Sequence, residues 1–113
     1  MENNMKQLIK QIIQYTEQQI TIFHRAECPT ITQTFRQIAD VLRQFETLTN
    51  KHPLTPQTIN AYNNAIHDLE IAYKKLSFYG PDFSSRLNIY KRFKSNVDME
   101  ITQTIHKSKQ SSR

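Results

Sequence analysis

The chain has 113 residues and a formal net charge of +5, enough for one domain with a single modest core. One glycine in the whole length argues against a fold built on hairpin turns and excludes a glycine-rich phosphate loop. A lone cysteine, Cys28, rules out an internal disulfide, so nothing points to an oxidising compartment.

The charge is uneven. Up to Tyr73 the bases Lys6, Lys10, Arg25, Arg36, Arg43 and Lys51 are slightly outnumbered by acids. From Lys74 onward Lys74, Lys75, Arg86, Lys91, Arg92, Lys94, Lys107, Lys109 and Arg113 face only Asp82, Asp98 and Glu100. A basic half suits nucleic acid, an acidic membrane surface or an acidic protein, and it equally suits plain solvation of helix faces. No window approaches the ~20 apolar residues of a spanning helix, and the N-terminal stretch lacks the apolar run of a signal peptide. The expected location is the cytoplasm. An amphipathic, basic first helix leaves open a peripheral position at the inner face of the membrane.

The first helix is expected to begin at Asn3 or Asn4, either of which suits a cap. Met5, Leu8, Ile9, Ile12, Ile13, Thr16, Ile20 and Phe23 recur at steps of three and four, the signature of one buried stripe. Pro29 pushes Cys28 out of the helical region and makes it a boundary residue. The second helix opens at Pro29 or caps on Thr30. Its stripe is Ile31, Phe35, Ile38, Leu42 and Phe45, widened by Ala39, Val41 and Leu48, and it ends near Thr49.

The third helix is expected to cap on Thr55, with Pro56 in its first turn and Leu54 as a staple to Ile59. Its stripe is Ile59, Tyr62, Ile66, Leu69, Tyr73 and Leu76. Gly80 supplies a left-handed residue at its end, and Pro81 bars continuation. The fourth helix caps on Asp82 and buries Phe83, Leu87, Tyr90, Phe93, Val97, Ile101 and Ile105. Arg86 and Lys94 edge that stripe, where long stems can cover apolar surface. Residues 1–106 are expected to form the bundle, and 107–113 a basic disordered tail. The fold class is all-α: an antiparallel up-down four-helix bundle with crossings of about 20°.

The residues offer little chemistry. His24, His52, His67 and His106 are never paired at three- or four-residue spacing, Cys28 has no CxxC partner, and Asp98 and Glu100 point to different sides of one helix. No metal, cofactor or enzymatic activity is expected. Tyr62, Tyr73 and Tyr90 read as packing residues whose hydroxyls reach the edge of the core. Tyr79, beside Gly80 in the connection, reads as a surface contact. Ile89 and Met99 fall off the fourth stripe and suit either a flanking helix or a partner.

The runs PTITQTFRQIADVL and HPLTPQTINAYNNAI, and above all the junction YKKLSFYGPDFSSRLNIYKRF, give the chain a resemblance across roughly residues 5–105 to the immunity proteins of pediocin-like bacteriocins. The resemblance implies a non-enzymatic four-helix bundle that protects the producing cell from its own pore-forming peptide. It implies action at the cytoplasmic side of a sugar-permease receptor engaged by bacteriocin, with specificity set by the C-terminal half. On this reading Tyr79, Ile89, Arg92 and Met99 supply contact. Lys91, Lys107, Lys109 and Arg113 add attraction to an acidic leaflet or receptor loop, about 1 kcal/mol per basic residue near an anionic surface. Two alternatives stand beside it: a small helical adaptor for a soluble protein, and a nucleic-acid-binding regulator. The second is disfavoured by the lack of a short helix-turn-helix and by the acids around KRFK.

Overall fold

The computed structural model describes the backbone of residues 2–111 and the side chains of residues 4–107. It is all-helical, with no strand among the described residues. The helices are α1 (Glu2–Arg25), α2 (Pro29–Lys51), α3 (Ile59–Lys74) and α4 (Ser84–Ser111), with short 3-10 helices at Lys75–Tyr79 and Pro81–Phe83. Each α-helix packs on the next in sequence, and α1 also meets α4.

The stripes expected from the sequence form the core. Ile9, Phe35, Ile38, Leu42, Phe45, Leu69, Leu76, Tyr90 and Val97 are fully buried. Burying a large apolar side chain contributes about 1.5–3 kcal/mol, so these positions dominate the stability of so small a domain. Three aromatic groups tie the helices together along their length. Phe23 stacks on Phe35 and Phe83 at 5.6 and 5.4 Å. Tyr90 meets Tyr15 edge-on and stacks on Tyr73, at 5.8 and 5.9 Å. Phe45 meets Tyr62 and Phe93 edge-on.

Several boundaries differ from the sequence expectation. Asn3 and Asn4 lie inside α1, which already starts at Glu2. Thr55 does not cap α3. Residues 56–58 form a turn closed by the Thr58 N–H on Thr55 O at 3.0 Å, and helical bonding starts from Thr58, whose carbonyl accepts the Tyr62 N–H. The Thr58 hydroxyl is spent on the turn itself, accepting the Thr55 N–H at 2.9 Å and donating to Pro53 O at 2.8 Å. Asp82 makes no cap bond either. It sits within the second 3-10 helix, and α4 begins after it. Gly80 has φ 94° and ψ −178°. That is positive φ but extended ψ, a region open essentially to glycine alone, rather than the left-handed helical conformation.

At its far end α4 runs on through Ser111, so the backbone of 107–111 is helical where a disordered tail is expected; residues 112 and 113 lie outside the described residues. Ile105, expected in the core, is 39 % exposed. With 16 residues against 28, α3 is roughly 24 Å long against 42 Å for α4 at 1.5 Å per residue, and cannot cover α4 to its end.

The α1–α2 connection is closed by backbone alone. Cys28 N–H donates to Phe23 O and Glu27 N–H to His24 O, the two bonds of a Schellman motif. Its left-handed position is held by Glu27, at φ 58°, where glycine is usual.

Candidate recognition surface

The outer side of the α3–α4 pair is set by three contacts. Glu70 receives Lys94 at 3.2 Å from α4 and Lys74 at 3.7 Å from its own helix. Lys94 also reaches Asp98 at 3.6 Å. The stacking of Tyr73 on Tyr90 lies beneath. The last turns of α3 therefore run beside α4 residues 90–98. The hydrogen-bonded Lys94 ammonium holds the Glu70 carboxyl below the usual glutamate range, and the same bond raises Lys94.

Large apolar residues on α3, the first 3-10 helix and α4 stand exposed. Phe78 is 83 % exposed, Met99 57 % and Ile71 53 %. Lys74, Lys75, Lys91 and Arg92 are exposed on the same three elements. Lys75 is held by the Gln37 side chain at 3.0 Å. Arg92 and Met99, seven residues apart, share one face of α4, while Lys91 is turned by about 100° from Arg92. These elements therefore carry exposed apolar side chains and exposed cations together.

The residues singled out from sequence divide clearly. Lys91, Arg92, Met99 and Lys107 are exposed. Ile89 is not a free contact, because it packs partly buried against the core. Tyr79 is turned inward. Its hydroxyl lies 2.6 Å from Thr34 Oγ1, its ring packs on Phe83, and it pins the connection to α2. The side chain of Lys109 and the whole of Arg113 lie outside the described residues. Phe78 takes the exposed role expected of Tyr79. The signal for it was present in part: Phe78 is two residues past Leu76, off the buried stripe.

No three His, Cys, Asp or Glu residues converge to hold a metal among the described residues. At the α1–α2 turn an open hollow of about 520 Å³ is lined by His24, Cys28, Arg36 and their neighbours. The Cys28 thiol there donates a weak hydrogen bond to Ala26 O at 3.6 Å. No described helix is long and apolar enough to cross a membrane. Compared with models of known protein families, with curated proteins and with solved structures, the chain matches none.

Proposed function

We propose that this chain is a bacteriocin immunity protein that acts by binding, without chemistry. In this reading the four helices form an antiparallel up-down bundle in the cytoplasm. The outer side of α3–α4 docks on the cytoplasmic face of the sugar-permease receptor when the pore-forming peptide is engaged, with weak help from an anionic leaflet. The observation that carries the reading is the exposure of Phe78, Ile71 and Met99, together with Lys74, Lys91 and Arg92, on the last two helices and the turn between them. It falls in the half of the chain to which the family resemblance assigns specificity.

The test is protection. A sensitive strain expressing the chain is challenged with a panel of pediocin-like bacteriocins. Resistance to at least one is expected. Arg92→Glu combined with Met99→Asp, or Phe78→Ser alone, should lower it while circular dichroism stays helical. Equal protection by both variants would move the docking face elsewhere. Sensitivity to the whole panel at good expression would instead favour the adaptor reading, which the same apolar and basic side supports.

A further inference from the structure

The seam between α1 and α4 carries a second cluster, away from the residues discussed so far. Arg86 lies over two aromatic rings, its guanidinium carbon 4.9 Å from the Phe23 centroid and 5.1 Å from that of Phe83. Its Nε–H donates to Gln19 Oε1 at 2.8 Å. Stacking and this bond fix the guanidinium plane before any ligand arrives. No carboxylate of the described residues pairs with it. Asp82, four residues earlier, forms no ion pair with it. Arg86 is thus half-buried, with rings and an amide but no carboxylate against its charge.

The neighbouring groups are donors as well. Gln19 is 7 % exposed; its carbonyl oxygen accepts from Arg86, and its amide keeps two N–H donors beside that bond. Tyr15, one helical turn before Gln19, feels the Arg86 charge, and its hydroxyl has no hydrogen-bond partner in the described protein. No buried side-chain nitrogen or oxygen lacks a partner, so the unengaged donors of these three residues open to solvent. The two Nη atoms of Arg86, the Gln19 amide and the Tyr15 hydroxyl together form a set rich in donors.

We propose that the Tyr15–Gln19–Arg86 cluster binds one small oxyanion group, a carboxylate or a phosphate, through the end-on fork of Arg86. With Nε engaged, the two Nη groups remain as a pair that matches two oxygens of such an anion. The rings of Phe23 and Phe83 set its plane, and Gln19 and Tyr15 flank it. The site stands independently of the immunity reading.

The experiment follows the Arg86 Nε–H, Gln19 amide and Tyr15 ring signals by nuclear magnetic resonance. Acetate and inorganic phosphate are titrated separately near neutral pH, with chloride holding ionic strength constant. Saturable shifts with either oxyanion are expected. Tighter acetate binding identifies a carboxylate as the ligand chemistry, and tighter phosphate binding a phosphate. Arg86→Lys keeps the charge and the stem but loses the fork, and should weaken binding about tenfold, the equivalent of one charge-assisted hydrogen bond. Arg86→Gln should abolish it. If Arg86→Gln loses helicity, Arg86→Lys decides. Shifts that never saturate, or saturable shifts unchanged in Arg86→Lys, would overturn the proposal.

Discussion

At the scale of single residues, the buried polar groups decide more than their number suggests. Thr16 is fully buried. Its hydroxyl donates to Ile12 O at 2.8 Å, so the 2.7 Å contact with the Tyr90 hydroxyl has Tyr90 as donor. Thr16→Val should therefore strand the Tyr90 proton inside the core and cost about 1–3 kcal/mol, whereas Tyr90→Phe should cost about 1 kcal/mol. The double variant should be more stable than the sum of the two losses implies, a non-additivity readable by chemical denaturation. Glu70 offers a pH counterpart. Its carboxyl is held low by Lys94, so its stabilisation is present above the ordinary glutamate value and is lost as pH falls through the lowered folded value. Glu70→Gln should remove about 0.5–1 kcal/mol near neutrality and flatten the acid limb of a stability–pH curve. An acid limb of unchanged slope would mean that the pair contributes nothing.

At the scale of elements, the two connections carry opposite backbone demands. Glu27 holds a left-handed position without being glycine, so Glu27→Gly should stabilise the fold by about 1 kcal/mol. Gly80 has open space where a Cβ would go, yet Gly80→Ala should cost about 1–3 kcal/mol through φ alone. Thermal melts of the two variants should move in opposite directions. These connections are also where the sequence was least legible. The four helices followed from periodicity, because apolar stripes at steps of three and four bury themselves wherever partners exist. Thr32 and Thr34 escaped that reading. Both are buried, and each turns its hydroxyl onto the carbonyl four residues back, which satisfies a polar group that hydropathy periodicity does not count as core. Tyr79 was misplaced for a different reason. After Lys74 the chain tightens to a 3-10 helix, whose period of three puts Leu76 and Tyr79 on one side and turns Phe78 out. A change of helical period within five residues leaves no mark in hydropathy. For the candidate site, exposure of Lys91, Arg92 and Met99 was legible as positions off the α4 stripe. The pairing of Arg86 with Gln19 across two helices was not, since nothing local encodes it.

At the scale of the molecule, the helices make a long body, 57 × 26 × 19 Å, whose core is a narrow column rather than a sphere. Val97 lies in that column with no exposure, and Val97→Asp should unfold the whole chain by burying an unpaired carboxylate, seen as loss of helical circular dichroism. The three rings of Tyr15, Tyr90 and Tyr73, packed in a row across the column, also give the protein a built-in reporter. The chain has no tryptophan and five tyrosines, so its ultraviolet absorbance and emission are tyrosine signals. Burial raises the ionisation of all three, Tyr90 most of all, above the free value of 10.0. Folding keeps these phenols protonated, so their contribution to stability is intact below that value and is lost as pH climbs towards the raised folded ones. In an alkaline titration the phenolate absorbance of these three rings should then appear above the free value and together with the collapse of helicity. The colour change of the last phenol would thus time the opening of the column itself, with no label added.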